Sequence, residues 1–286
     1  MKILVTGGNG QLGSELKNNP LIKNNFDQLF TDRQSFNISD LDNINIYLDK
    51  CKPNIIINCA AYTSVDSAED NFELANTINH KAISLIAKWC NDNNCNLIHI
   101  STDYVYDGYS KIPYIEEDQT DPLNNYGKTK LLGDIACQKN NPSSIIIRTS
   151  WLYSSYGNNF VINMINTMQN RDEIQVVNDQ FGSPTYAGDL ASTILLLIKN
   201  KKWYSGIYNY TNSGNISWYD FANEIKSIYG FSSIIKPIST KKYSQKATRP
   251  KYSYLDNSKI INTFDIKQMN YKVSLKKCIK ILQDES

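Results

Sequence analysis

Five short runs of Ile, Leu and Val mark the first half of the chain: Lys2 to Thr6, Gln28 to Thr31, Ile55 to Cys59, Leu97 to Ser101 and Ser144 to Arg148. They are nearly continuous rather than alternating, as strands covered on both faces are. Between them apolar residues return at helical spacing, as in Ala75, Ile78, Ala82, Leu85, Ile86 and Trp89, so the stretch from Ala75 to Cys90 should form a helix lying on the sheet. Strand and helix in alternation predict an α/β fold with a doubly wound parallel sheet over residues 1–150.

Beyond Thr149 the pattern changes to Tyr, Asn, Ser and Lys with shorter apolar segments. One clear helix is expected from about Trp218 to Tyr229, with Ser217 able to cap it and Gly230 able to end it. Residues 151–286 are therefore read mainly as a smaller C-terminal substrate lobe. Segments near 174–200, notably Val176-Val177 and Leu190 to Ile198, are expected to return to the main sheet. The basic stretch Thr240 to Ser253 has no periodicity and should be an ordered loop or a mobile flap.

Length and charge add mainly exclusions. The 286 residues allow a substantial core, and 30 Lys and Arg against 28 Asp and Glu leave a formal charge of +2. That balance favours neither nucleic acid nor a membrane surface as partner. The N-terminal apolar run is too short for a signal peptide, and no later run approaches a membrane span, so a cytoplasmic protein is expected. Six cysteines lie scattered without a CxxC pair and should stay reduced. The only two histidines are His80 and His99, too few for a His-based metal site, and His99 reads as a core residue of its strand.

Gly7, Gly10 and Gly13 sit between the first strand and the following helix, a G-x-x-G-x-x-G pattern that permits a tight turn and close approach to a pyrophosphate. The helix N-terminus would meet the phosphates with free N–H groups. Asp32 follows Gly13 by 19 residues, where a carboxylate can accept from the adenosine ribose, and Arg33 beside it can pair with a 2′-phosphate. This Rossmann-type cradle implies a dinucleotide, with NADH or NADPH left open.

Two further strand ends carry candidate chemistry. Small residues in Asn58-Cys59-Ala60-Ala61 would let a cofactor lie across the sheet, and Ser101-Thr102-Asp103 closes the next long strand. Tyr126 and Lys130 are four apart and share a helix face. A tyrosine with a pKa of ~10 is a poor acid at neutral pH. The expectation is that Lys130 and a positive nicotinamide lower it in the closed complex, so that Tyr126 protonates a developing alkoxide. Thr102 would hydrogen-bond the same oxygen, and Lys130 would also hold the nicotinamide ribose. Trp151 offers a flat apolar face to a sugar. Arg249, beside Pro250 and among Lys241, Lys242, Lys246 and Lys251, could pair with a diphosphate.

Gly7 to Gly13, Asn58 to Asp66, Ser101 to Gly108, Pro122 to Lys130, Arg148 to Trp151 and Asn178 to Thr185 together resemble the extended short-chain dehydrogenase/reductase family over nearly the full chain. Within it they are similar to reductases of dTDP-linked deoxysugars. The resemblance implies reduction of the 4-keto group of dTDP-4-dehydro-L-rhamnose by NADPH or NADH, in nucleotide-sugar synthesis for cell-surface polysaccharide. It implies Tyr126 as proton donor, Lys130 as its partner and Thr102 as the tuning hydroxyl, with Asp103 and Trp151 as substrate contacts. Gly10, Gln11, Leu12, Asp32, Asn37, Ile38, Ala60, Ala61 and Thr63 fall where the family lines its cofactor site.

Two departures stand out. Asn37 occupies a position that is often Asp. Some members dimerise through a magnesium site built from glutamates; Glu15 is present, but the segment from Leu190 to Lys199 lacks acidic partners, so no metal is expected and a homodimer is left open. Other readings are a reductase or epimerase of another nucleotide-linked deoxysugar and a non-catalytic NADP-binding regulatory subunit. Intact Thr102, Tyr126 and Lys130 argue against the last. Dehydratases commonly place Asp-Glu after the Thr, whereas Asp103 is followed by Tyr104.

Overall fold

The computed structural model describes residues 1–284. Five parallel strands, β1 (Lys2–Thr6), β2 (Asp27–Thr31), β3 (Ile55–Asn58), β4 (Asn96–Thr102) and β5 (Ile145–Thr149), form the predicted doubly wound sheet, and Gly206–Asn209 adds a sixth beside β5. The spatial order is Gly206–Asn209, β5, β4, β3, β1, β2. The chain steps from β1 outward to β2 and then back to the other side at β3, so the switch point lies between β1 and β3. A crevice opens there at the carboxyl ends of the strands.

The continuous apolar runs are explained by burial on both faces. Ile3, Val5, Ile57, Ile145 and Ile147 join one core with Leu190 and Ile194. Leu4, Ile56, Leu97 and Ile146 join the opposite core with Ile83 and Ile86. Successive strand residues thus point to opposite sides, each covered by helices.

The stretch expected as one helix from Ala75 to Cys90 is helical but interrupted. Phe72–Asn76 and Ala82–Asp92 are α-helical, and a π-helical turn, Thr77–Lys81, joins them. The turn buries Asn79, whose carboxamide bridges the Tyr62 backbone and the Thr129 hydroxyl.

A second core gathers Tyr153, Val161, Phe221, Ile225, Leu275 and Ile279 from the helices Phe160–Asn170, Trp218–Tyr229 and Tyr271–Asp284 and their surroundings. The helix Trp218–Tyr229 starts at a capping box between Ser217 and Asp220 and stops at Gly230 in the left-handed region, φ 77°. Helix Ala187–Lys199 packs on the main sheet's core as expected. The expectation for Val176-Val177 is corrected: their strand, Glu173–Val177, pairs with Ile234–Ile238 in a separate two-stranded sheet. Ile174 and Val176 there bury against Met168 and Ala222, so the strand finds its cover in the second core rather than beside β5.

Thr240 to Ser253 is an ordered strap rather than a flap. It opens with a 3-10 turn, Thr240–Lys242, and its later backbone bonds to Gly108 and Phe181. Gly108, at φ 74°, is in the left-handed region, and a Cβ there would lie 2.4 Å from Pro250. None of the helices among the described residues is long and apolar enough to cross a membrane.

Candidate active site

A cleft of about 710 Å³ opens at the switch point. Its floor begins at Gly7, which takes φ 66° directly after β1 and sits so close to the next strand's end that a Cβ would lie 2.8 Å from the Ala60 nitrogen. A Cβ on Gly13 would lie 2.3 Å from the Gly7 carbonyl oxygen. Gly10 has an ordinary extended φ of −78° and precedes helix α1 (Gln11–Asn18), whose first turn carries neither an acid nor a side-chain cap. The uncapped N–H groups open into a cradle that side chains would fill, and the donor set suits a dinucleotide pyrophosphate.

Gln11, Leu12, Asp32, Arg33, Asn37, Ile38, Ala60, Ala61 and Thr63 line the same cleft. The Asp32 carboxylate accepts from the Asn9 amide at 2.7 Å and from the Ser35 backbone at 2.9 Å, and these bonds, led by Ser35, hold its pKa below the usual range. Arg33 is exposed. The Asn37 side chain accepts from the Ser39 hydroxyl at 2.8 Å.

The chemical end of the cleft is built by β4 and the helix Asn125–Asn140. The Asn124 side chain caps that helix by accepting from the Gly127 N–H at 2.8 Å. A Cβ on Gly127 would lie 2.2 Å from the Tyr104 carbonyl oxygen, so only glycine lets the helix start approach the segment after β4 this closely. Thr102, Asp103, Tyr126 and Lys130 thereby share one lining.

Thr102 Oγ1 donates to Asp103 at 3.0 Å and accepts from the Tyr104 N–H at 3.3 Å. The Tyr126 ring meets Tyr104 edge-on at 5.6 Å. Burial pushes the Tyr126 hydroxyl up to about 12, against a hydrogen bond with Thr102 that pulls it down. Burial lowers Lys130 to about 8, with Asp134 opposing the change. Asp103 is raised to about 6, again chiefly by burial, although Ser253 and Thr102 stabilise its charged form.

Trp151 closes the far side with its backbone at φ 46°, a left-handed conformation uncommon for a bulky residue. One face of its indole stacks on Trp218, with ring centroids 3.5 Å apart and planes within 9°. A sugar would therefore meet the other face or the edge. Gly182 lies against that edge, where a Cβ would stand 2.9 Å from an indole carbon.

Arg249 is not in this lining. It borders a second cleft of about 250 Å³ together with Lys246 and Lys251. Its guanidinium donates to Asp66 at 2.8 Å and to Gln245 at 2.7 Å. Asp66 also accepts from the Lys246 and Ala247 backbone N–H groups, at 3.2 and 2.9 Å.

Residues behind the cleft were not singled out for function in the sequence. Asn58, His99 and Asp134 are buried polar groups that adjoin one another, and Asn124 and Gly127 act by placing Tyr126. A polar side chain inside an isoleucine-rich strand was the available signal.

The family model described as RmlD substrate binding domain matches residues 1–284. A dTDP-4-dehydrorhamnose reductase of Aggregatibacter actinomycetemcomitans is 38% identical over 285 residues, covering 96% of this chain and 97% of that protein. The crystal structure of a dTDP-4-dehydrorhamnose reductase from Clostridium acetobutylicum superposes with a TM-score of 0.94 at 42% identity, covering 99% of this chain and 100% of the other. That of Bacillus anthracis dTDP-4-dehydrorhamnose reductase in complex with NADP gives 0.93 at 36% identity, covering 98% and 99%.

Proposed function

The chain belongs to the RmlD substrate binding domain family, and from that membership we propose that it is an NAD(P)H-dependent reductase of dTDP-4-dehydro-L-rhamnose. One observation carries the reading: a single cleft brings the Gly7–Gly13 cradle together with Thr102, Tyr126, Lys130 and Trp151. When bound, NADPH or NADH supplies the hydride.

Gly7, Gly13 and the first turn of α1 hold the pyrophosphate, while Asp32 and Arg33 receive the adenosine ribose and any phosphate on it. Tyr126 gives its proton to the 4-keto oxygen as that oxygen gains charge. A phenol held near 12 is fully protonated at neutral pH, which is the form a proton donor needs. Thr102 hydrogen-bonds the same oxygen and steadies the charge on it. Lys130, one helical turn beyond Tyr126, holds the nicotinamide ribose and favours the phenolate once the proton has left. Asp103 and Trp151 bound the sugar. Arg249 contributes to substrate binding by anchoring the strap beside the cleft through Asp66, with the diphosphate as its alternative partner.

We further place the enzyme in the cytoplasm, where six unpaired thiols stay reduced. Self-association as a homodimer, left open by the resemblance, is checked by light scattering.

The deciding assay follows reduced-nicotinamide absorbance on adding dTDP-4-dehydro-6-deoxyglucose with a rhamnose-pathway epimerase. Oxidation that needs the epimerase is expected, and Tyr126→Phe should lower kcat roughly 10²–10⁴-fold while leaving cofactor affinity nearly unchanged. Full activity in Tyr126→Phe would remove the tyrosine from its role. No oxidation despite cofactor binding would redirect the assignment to another nucleotide sugar.

A further inference from the structure

Behind Lys130 lies a set of buried groups that the reaction described above does not use. Lys130 Nζ donates to the Ile100 carbonyl at 2.6 Å and stands 3.5 Å from His99 Nε2. His99 Nε2 is 3.8 Å from Asp134 Oδ1, and Asp134 Oδ2 accepts from Arg148 Nε at 3.2 Å. None of these four side chains is more than 3% exposed. Burying so many ionisable groups together is costly, so packing alone does not account for them.

The sheet fixes the far side of this cluster. Thr6, Asn58 and His99 are register partners across β1, β3 and β4. The Thr6 hydroxyl donates to Asn58 Oδ1 at 2.7 Å, which turns Asn58 Nδ2 toward His99 Nδ1 at 3.1 Å. With an amide donor facing it, Nδ1 is the acceptor, and the single ring proton of neutral His99 sits on Nε2, between Lys130 and Asp134. On the helix side Tyr126, Lys130 and Asp134 recur every fourth residue and share one face.

The groups facing Lys130 divide clearly. Asp134 favours its charged form and burial opposes it, while the Cys137 and Cys59 thiols beside it stay protonated because burial pushes both up. His99 faces it uncharged, since burial and then Lys130 hold the imidazole well below its usual range. Arg148 from β5 holds the direct ion pair with Asp134, at 3.2 Å, and Lys130 acts on the same carboxylate only through its charge.

We propose that His99 and Asp134 are positioning residues of the active site: Asp134 supplies the counter-charge that keeps Lys130 an ammonium, and His99 is the neutral, dry wall that fixes Lys130 Nζ toward the cleft. The role of Lys130 in this statement rests on the reductase reading. The wall itself does not.

The two residues act on Lys130 in opposite senses, and that gives the test. The protein is labelled with ¹³C,¹⁵N-lysine, the Lys130 Nζ resonance is assigned with Lys130→Met, and it is titrated without cofactor. In the wild type it should titrate near 8, apart from the exposed lysines. Asp134→Asn should move that midpoint down, and His99→Ala, which admits water, should move it up, each by roughly one pH unit. His99→Gln keeps a polar atom near Nε2 and should restore the wild-type midpoint.

The alkaline limb of kcat/KM for the nucleotide sugar should move in the same direction as the resonance in every variant, with KM itself little changed. An unmoved midpoint in either variant, or displacement in the same direction, overturns the proposal. Should Asp134→Asn fail to fold because Arg148 is left buried and unpaired, the double variant Asp134→Asn/Arg148→Met carries the same downward expectation. Shifted midpoints in a protein that never turns over the sugar, wild type included, would sink the reductase reading and leave the positioning intact.

Discussion

Burial pushes the Asp103 carboxyl up to about 6, above the ~3.9 it has in an unfolded chain. For a group raised on folding, the contribution to stability is fully present below the unfolded pKa and is lost as pH rises through the folded one. Charged Asp103 therefore weakens the fold at neutral pH, on the order of 3 kcal/mol. Asp103→Asn should raise stability at pH 7 by about that amount, with the gain gone below ~4, as read from urea midpoints across pH. It should also lower turnover, because the substituted side chain lies in the cleft. Residue-scale chemistry of this kind was partly legible in the sequence. Thr102, Asp103, Tyr126 and Lys130 could be named from spacing and motif. His99 read only as a core histidine, because a sequence does not show which strand residues lie in register.

At the scale of elements, the strands showed themselves because both faces of the sheet are covered, which makes their sequences continuously apolar. Gly206–Asn209 was missed because it is four residues long and carries little apolar signal. The Glu173–Val177 and Ile234–Ile238 pair depends on a partner some 60 residues away, which local pattern does not encode. The helix Trp218–Tyr229 was legible through its ends, and those ends separate two kinds of stabilisation. Ser217→Ala removes the hydroxyl half of the capping box, leaving the Ser217 backbone N–H to donate to Asp220, and should cost about 1 kcal/mol in chemical denaturation. Gly230→Ala meets no atom within 4 Å, so its cost of about 1 kcal/mol should come from the left-handed backbone alone, and Gly230→Asn should recover part of it.

At the scale of the molecule, the strap Thr240 to Ser253 is tied to the dinucleotide-binding half through Asp66, which Arg249 and the Lys246 and Ala247 N–H groups engage. Burial works against the Asp66 charge, but Arg249 and the backbone donors outweigh it and hold its pKa below the usual range. A carboxylate lowered in this way contributes stability above its unfolded pKa and loses it as pH falls through the folded value. As pH falls below the ~3.9 of a free aspartate, hydrogen exchange should therefore rise in residues 245–251 before the sheet opens. Asp66→Asn should bring the same local opening to neutral pH. Equal protection in wild type and variant would show that the strap is held by Gly108 and Phe181 alone.

The stack of Trp151 on Trp218 joins the segment following β5 to the first residue of a helix in the second core. Two indoles this close and nearly parallel couple their electronic transitions, so their excited states are shared. The native protein should accordingly show a two-signed exciton band in its circular dichroism that Trp218→Phe abolishes. Its amplitude would report, without any label, the angle between the segment following β5 and the second core.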